Sequence, residues 1–345
     1  MKELLKKLVE APGVSGYENS IRDIMEKELK KTCDSVEVNK IGNLIAKKGN
    51  GKGKILLMAH MDEIGLMVKN ITEKGFIRFA PVGGWDQKVL PAQKIRIYAN
   101  NSVITGVIGS KPIHLQEKEE LEKIIKLKEL YIDVGAKNKK DIEKIGIKIG
   151  DFIGLYGEFS ELKNNLVTGY GLDDRAGCAA LIEIMKQVKP KDFTIYAVGT
   201  VQEERGLIGA RGVGFQINPN IALAIDTTIA CDTPDAGEES GIKIGHGPVL
   251  NIMDYSSVIH PTIKNWLETV AEKNKIKYQR DVLIEGGMDS SLMSIVREGI
   301  PAAGICIPAR YIHTPIEVLS LNDLENLVKL VVAALKDTKE IKKLL

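Results

Sequence analysis

A histidine and an aspartate follow the first strongly apolar run of the chain, and both side chains are suited to metal chemistry. His60 and Asp62 stand in the stretch AHMDEIG, which continues the apolar run KILLM. Side chains two positions apart on a strand point to the same face, so these two would lie together at its carboxyl end. A histidine beside a carboxylate suits a metal ligand and the group that orients it, although a strand can also end in polar residues by chance.

Further candidates stand near the ends of other predicted strands. Sites in open α/β sheets lie outside the carboxyl ends of the strands, so residues at those ends share one edge of the sheet. Taken singly, such residues are more often helix caps, turn residues or solvated loop residues. Their recurrence at successive strand ends favours a shared site. The candidates are Asp173 and Asp174 before a helix, Glu203 and Glu204 after the strand at 193–201, Asp226 in the strand at 220–228, and His313 after the strand at 302–308.

This set of side chains suits a pair of divalent cations. Imidazole and carboxylate ligands favour zinc, cobalt or manganese. Two ions about 3.5–4 Å apart need one carboxylate that bridges them and terminal ligands for each. One carboxylate must stay off the ions to accept a proton and return it, and Glu203 beside Glu204 fits that role.

Alternating strands and helices must position these residues. Apolar spacing predicts helices at 1–10, 175–189, 260–274 and 321–337, and the strands named above lie between them. A Gly-interrupted segment, LIGARGVGF, is a further helix candidate. This order indicates an α/β sheet with helices on its faces.

A β-rich block interrupts the alternation. Between residues 68 and 163, runs such as GFIRFAPV and QKIRIYAN are separated by Gly, Pro and Asn, and one charged periodic segment at 117–130 predicts a helix. We therefore predict an α/β domain that carries the site, made of residues 1–67 and 164–345, with residues 68–163 inserted as a small domain.

The composition excludes several classes of function. The 345 residues are 44% hydrophobic and 27% charged, and the net charge of +2 points to neither nucleic acid nor an anionic membrane as a partner. No apolar run reaches the length of a bilayer span, and the N-terminal stretch lacks a secretory apolar core, so we expect a cytoplasmic protein. The four cysteines are far apart, which argues against a disulfide framework or a thiolate zinc site.

Several motifs occur in an order that resembles a known family. They are APGVSGYE, AHMDEIG, GLDDRAG, TVQEERGLIGARG, AIDTT, GGMDSSLM and ARYIHTPIEV. Over nearly the whole chain they resemble the tetrahedral (TET-type) dinuclear metallo-aminopeptidases, close to leucyl, glutamyl and deblocking aminopeptidases. The resemblance implies a mixed sheet sandwiched by helices, as in zinc peptidases, with an inserted β-barrel for oligomerisation. It also implies a homododecameric shell that admits short or unfolded peptides.

The resemblance implies a role for each candidate residue. Two divalent ions per subunit, zinc or cobalt with manganese as a further option, would activate a water between them. Glu203 is implied as the general base and Asp62 as the carboxylate that orients His60. A cis peptide bond is implied between Asp173 and Asp174. The implied metal ligands are His60 and Asp226 for one ion, Glu204 and His313 for the other, and Asp173 as the bridge.

Three functions are compatible with these residues. The first is an aminopeptidase that removes N-terminal residues from peptides. The second is an N-acyl-amino-acid amidohydrolase on the same dinuclear centre, since pocket detail decides the substrate of such a fold. The third is a non-catalytic binding or scaffold protein, which would require the loss of a ligand or of the base. The sequence retains a compatible residue at each of these positions, which favours an enzyme.

Overall fold

The computed structural model describes residues 1–344 apart from 101, 235 and 237–239. In this part of the chain the α-helices are α1 Lys2–Val9, α2 Asn19–Leu29, α3 Lys118–Leu121, α4 Lys139–Lys144, α5 Leu172–Gln187, α6 Ile208–Ile217, α7 Pro261–Lys273, α8 Leu321–Lys336 and α9 Thr338–Leu344. The strands are β1 Ser35–Val38, β2 Leu44–Lys48, β3 Gly53–His60, β4 Gly65–Ile71, β5 Ile77–Val82, β6 Lys94–Ala99, β7 Ser102–Gly109, β8 Tyr131–Asp133, β9 Phe152–Leu155, β10 Ser160–Glu161, β11 Leu166–Gly169, β12 Phe193–Thr200, β13 Ile221–Ile229, β14 Val249–Met253, β15 Gln279–Val282, β16 Ala302–Arg310 and β17 Glu317–Ser320.

A mixed sheet of eleven strands forms the larger part of the fold. Its order is β1-β2-β12-β3-β13-β16-β17-β11-β10, and β14 and β15 extend it beside β16. The four central strands β12, β3, β13 and β16 are parallel, while β2 pairs with β12 and β17 pairs with β16 in antiparallel orientation. The carboxyl ends of the four parallel strands therefore meet at one edge of the sheet, as the sequence predicts.

Helices cover both faces of this sheet because its central strands are apolar on both sides. On β3, Ile55, Leu57 and Ala59 belong to the core beneath α1, α2, α5, α7 and α8. The alternate residues Leu56 and Met58 belong to the core beneath α6. Burial on both faces explains why this strand reads as a continuous apolar run in the sequence.

The pairing between β3 and β13 ends before it reaches the candidate site residues His60 and Asp226. The last pair in register is Met58 with Ala224, two residues before His60 and Asp226. The strand β13 itself continues to Ile229, three residues beyond Asp226, because it remains paired with β16. The two central strands are no longer paired beyond this point, and His60 and Asp226 both line a cleft at this edge of the sheet.

A closed six-stranded barrel interrupts the sheet-forming part of the chain. Its strand order is β4-β5-β8-β7-β6-β9, and its interior has its own apolar core. The predicted fold class, a helix-covered mixed sheet with an inserted β-barrel, is confirmed. The barrel strands run from Gly65 to Leu155. The division into domains at residues 68 and 163 stays our proposal.

One predicted helix of the inserted region is wrong. The segment 117–130 forms only the one-turn helix α3, followed later by a short 3₁₀ turn at Leu127–Glu129. Its apolar residues Leu121 and Ile124 are about half exposed, so the segment lacks a surface on which to bury a helical stripe. Because most helical stability in proteins comes from such packing, periodicity alone did not produce a long helix.

The other predicted helices and strands are formed within a few residues of their expected bounds. The four cysteines are all free, two of them buried. None of the helices in the described part of the chain has the length and apolar character of a transmembrane span.

Candidate metal centre

Five segments bring the candidate residues to the carboxyl edge of the central strands. His60 ends β3, Asp226 lies on β13, and Asp173 lies at the start of α5. Glu204 follows β12, and His313 follows β16 in a left-handed backbone conformation. The peptide bond between Asp173 and the next residue is cis, as the resemblance implies.

His60, Asp173 and Asp226 form the first group of possible ligands. His60 Nε2 lies 3.3 Å from Asp173 Oδ1 and 3.7 Å from Asp226 Oδ1. All three residues are buried. Their three ligand atoms lie close enough together to contact a single ion.

Asp173, Glu204 and His313 form the second group, and Asp173 is shared with the first. His313 Nε2 lies 3.5 Å from Asp173 Oδ2 and 3.1 Å from Glu204 Oε1. Each oxygen of the Asp173 carboxylate thus faces a different histidine. This is the arrangement that a carboxylate bridging two ions requires.

The spacing of these atoms fits metal coordination. Zinc–ligand bonds of about 2.0–2.2 Å in a tetrahedral shell separate neighbouring ligand atoms by roughly 3.3–3.6 Å. The four histidine–carboxylate separations of 3.1–3.7 Å lie close to that range. His60 Nδ1 lies 3.0 Å from the backbone oxygen of Asp62. A proton on Nδ1 that donates to this oxygen leaves the lone pair of Nε2 directed at Asp173 and Asp226, the other members of the first group.

The electrostatics of the cluster also fit a cation. The pKa of Asp226 is raised to about 8, mainly by burial, while the charge of His60 acts to lower it and the charge of Asp173 acts to raise it. Burial likewise raises the pKa of Glu203 well above its usual range, helped by Asp226 and Glu204. The carboxylates are thus costly to ionise together, and divalent cations would supply the missing positive charge.

The pKa values of the two histidines are raised, and the pKa of Asp173 is lowered, so all three residues favour their charged forms. Burial lowers the pKa of His313, but hydrogen bonds to Asp173 and Glu204 outweigh burial and raise it to about 11. Burial acts to raise the pKa of Asp173, but the hydrogen bonds from His313 and His60 outweigh it and lower the pKa. Asp173 is therefore the carboxylate that ionises most readily in the cluster.

Asp62 lies against His60 and also binds the segment that carries Glu203. Its nearest carboxylate oxygen is 3.6 Å from His60 Nδ1 and its backbone oxygen is 3.0 Å from the same atom, so the orienting role that the resemblance implies stays a prediction. The Asp62 carboxylate also accepts the backbone N–H groups of Glu203 at 2.9 Å and Glu204 at 3.1 Å. Asp62 thus anchors the segment that carries the proposed base.

Two further buried side chains hold the same segment. The N–H of Val201 donates to Asn43 Oδ1 at 3.0 Å, and the N–H of Gln202 donates to Glu18 Oε1 at 3.1 Å. With the two bonds to Asp62, four consecutive backbone donors from 201 to 204 are bound by side chains from three separate elements. Such preorganisation fixes the position of Glu203 without using its carboxylate.

Glu317 and Asp174 fix the ligands in the same way, although sequence reasoning gave Glu317 no role. The buried Glu317 carboxylate accepts the backbone N–H of Asp173 at 3.0 Å and that of His313 at 3.0 Å. Asp174 accepts the backbone N–H of His60 at 3.2 Å. The only sequence signal for Glu317 was its place in the motif ARYIHTPIEV, because a bond to backbone leaves no residue pattern.

A buried ion pair joins the loop after β3 to α5. Arg175 Nη2 lies 3.0 Å from Glu63 Oε2, and both side chains are almost completely buried. Arg175 Nη1 also donates to the backbone oxygen of Met61. Sequence reasoning missed this pair too, since charged residues are rarely buried unless paired in three dimensions.

The two ligand groups line one part of a cleft of about 620 Å³. Glu203 also lines this cleft but belongs to neither ligand group among the described residues. The remaining walls combine polar residues with the apolar side chains of Leu207, Ile229, Tyr255, Leu283, Met288 and Ile312.

Comparisons with known proteins agree with this geometry. Residues 42–330 match the family model described as M42 glutamyl aminopeptidase. A lysyl aminopeptidase of Pyrococcus furiosus is 37% identical over 340 residues, which are 98% of this chain and 97% of the relative. The structure of aminopeptidase APDkam598 from Desulfurococcus kamchatkensis has a TM-score of 0.94 at 37% identity, covering 99% of this chain and 96% of that one.

A second solved structure is similar over almost the same length. The TET1 peptidase of Pyrococcus horikoshii, which can assemble into a tetrahedron or a large octahedral shell, has a TM-score of 0.89 at 37% identity. The match covers 97% of this chain and 99% of that one.

Proposed function

Because this chain belongs to the M42 glutamyl aminopeptidase family, and is therefore a peptide-bond hydrolase of the TET type, we propose that it works through a two-metal centre with Glu203 as the general base. The proposed metal ligands are those of the two groups described above, with Asp173 shared between them. Zinc or cobalt, with manganese as a further option, suits this set of imidazole and carboxylate donors.

A single observation carries the proposal. The two carboxylate oxygens of Asp173 face different histidines, so one side chain serves two adjacent ligand groups. Glu203 stands beside them in the same cleft, outside both groups. A bridge with terminal ligands on each side and a separate proton acceptor is the set of parts that two-metal hydrolysis requires.

Glu203 moves the proton in the proposed reaction. When bound, the two cations supply positive charge that polarises the scissile carbonyl and acidifies water. Glu203 accepts a proton from the attacking water as the water oxygen bonds to the carbonyl carbon. The C–N bond then breaks, and Glu203 returns this proton to the leaving nitrogen. Asp62 holds the backbone of Glu203 in place throughout.

The free amine of the substrate separates the proposed reaction from its closest alternative. An aminopeptidase binds a cationic α-amine among carboxylates. An N-acyl-amino-acid amidohydrolase instead hydrolyses the amide bond between an acyl group and the nitrogen of the amino acid. We expect tripeptides headed by Leu, Lys or Glu to be cleaved at their first bond. Acetylation should lower kcat/KM at least roughly tenfold, since hydrogen bonds to charged groups contribute about 1.5–3 kcal/mol.

The test is an assay of each tripeptide and its N-acetyl form, with both free amino acid and acetate measured. Release of acetate from the blocked peptides, without release of amino acid from the free ones, would favour the amidohydrolase. Metal-depleted protein and protein reloaded with cobalt, zinc or manganese provide the control for metal dependence.

We also propose that the chain assembles with copies of itself, as a dodecamer. The similar TET1 peptidase of Pyrococcus horikoshii can assemble into a tetrahedron or a large octahedral shell. The inserted barrel region exposes large apolar side chains, which favours association. Sedimentation velocity should show a species near twelve times 37.9 kDa, and a persistent monomer would contradict the proposal. The exposed residues include Val103, Ile113, Leu115 and Ile149.

A further inference from the structure

A thin wall separates the active-site cleft from a second cavity. The second cavity has a volume of about 460 Å³ and is lined by the turn after β14 and by the segment from Met288 to Gly304. Three residues line both spaces, namely Asn251, Asp254 and Met288. They therefore form the partition between the cleft and the second cavity.

Met288 is the apolar side chain of this partition. Its side chain is buried, with only 4% of the residue exposed. Asn251 Nδ2 lies 3.9 Å from its sulfur. The thioether also packs so closely against Gly304 that no Cβ would fit at that position. Met288 thus occupies a space on β16 that is free because Gly304 has no side chain.

Hydrogen bonds hold the backbone of Met288 in this position. Its N–H donates to Ser291 Oγ at 3.3 Å, and that hydroxyl donates to Asp254 Oδ2 at 2.7 Å. The other oxygen of Asp254 accepts the backbone N–H groups of Ser256 and Ser257. The partition is therefore anchored on both sides, and its thickness at the centre is set by one flexible side chain.

The geometry of exopeptidase cleavage directs the first side chain of the substrate toward this wall. The scissile carbonyl must lie beside the ligand groups and Glu203. The peptide beyond that bond has no fixed length, so it must leave through the open mouth of the cleft. The N-terminal residue is left with the rest of the cleft, whose lining includes the buried residues Asn251 and Met288.

We propose that Met288 sets the depth of the pocket for the N-terminal side chain, and so determines which residue sizes the enzyme removes. The inference rests on the proposed aminopeptidase function and names the residue that controls its selectivity. Shortening Met288 joins the cleft to the second cavity, so long or aromatic side chains gain room. Substrates with a small N-terminal side chain should keep the same kcat/KM, because that side chain does not reach the partition.

The experiment compares kcat/KM for Ala-, Leu-, Phe- and Trp-p-nitroanilide in wild-type protein and in Met288→Ala. In the variant we expect kcat/KM for the Trp substrate, divided by that for the Ala substrate, to rise at least about tenfold. This is the lower end of the discrimination that a change in the size of a hydrophobic pocket produces. Met293→Ala is the matched control, because Met293 is buried in the following 3₁₀ segment but lines neither cavity. Its selectivity profile should match that of the wild type.

Met288→Val keeps the test informative if the alanine variant does not fold. Met288 has an extended backbone, which a β-branched residue adopts readily, so this smaller truncation should shift selectivity in the same direction. A folded, active variant with an unchanged profile overturns the assignment of Met288 alone. A wild-type protein that cleaves none of the four substrates, although loaded with metal, overturns the proposed function and this inference with it.

Discussion

Replacing Glu203 with glutamine is expected to lower kcat by about 10²- to 10⁴-fold, the usual contribution of a positioned proton-transfer group. Glutamine has nearly the same shape but cannot accept a proton. The backbone of residue 203 would still be held by Asp62, because that bond uses the main-chain N–H. The loss should therefore appear in kcat with little change in KM or in thermal stability.

Metal content distinguishes this result from a general collapse of the site. Glu203 belongs to neither ligand group, so Glu203→Gln should bind as many ions per subunit as the wild type. Glu325→Gln, which alters an exposed carboxylate on α8, is the control and should retain full activity. Normal turnover by a metal-loaded Glu203→Gln protein would remove Glu203 from the mechanism.

Replacing Asp173 with asparagine is expected to have the second large effect, through the metals themselves. Asp173 is the only residue shared by the two ligand groups of the described chain, and its two oxygens face His60 and His313. An uncharged amide removes one negative charge from both proposed ion sites. The transition state would lose several kcal/mol of charge stabilisation, which corresponds to a fall of roughly 10³-fold or more in kcat/KM.

The defining measurement is the metal stoichiometry of the purified variant, together with a titration of each metal. We expect Asp173→Asn to hold fewer than two ions per subunit and to need a higher concentration of metal for any residual activity. Asp323→Asn is a matched control, since its buried carboxylate lies in neither ligand group and accepts the N–H groups of Gly245 and Gly247. Two tightly bound ions in Asp173→Asn would show that Asp173 is not the bridge.

These two variants change the proposed base and the proposed bridging ligand, but other buried carboxylates contribute by binding the backbone of the site. Glu18, Asp62, Asp174 and Glu317 each accept a backbone N–H from a segment that carries a candidate residue. Because they bind main-chain groups, they fix positions without competing for metal. Substitutions at these residues are therefore expected to displace the base or the ligands.

Much of the architecture was predictable because it follows from local patterns. Continuous apolar runs indicated strands buried on both faces, and the alternation with helices indicated parallel strands whose ends meet at one edge. His60, Asp226 and His313 were expected near one another on that basis. The identity of the inserted region as β-rich followed from short β-type runs between Gly, Pro and Asn. At 117–130 the helical spacing of apolar residues predicted a helix that is not formed over its full length, because these residues have no surface to pack against.

The sequence by itself thus determined which residue types reach the carboxyl edge of the sheet, whereas only the tertiary structure decided how they are used there. Distances such as those from Asp173 to His60 and His313 depend on strand order and on where the pairing of β3 with β13 ends, which are contacts between residues far apart in the chain. The anchoring roles of Asp62 and Glu317 depend on bonds to backbone groups. Every residue carries the same backbone donor, so no sequence pattern marks the one that a buried carboxylate binds.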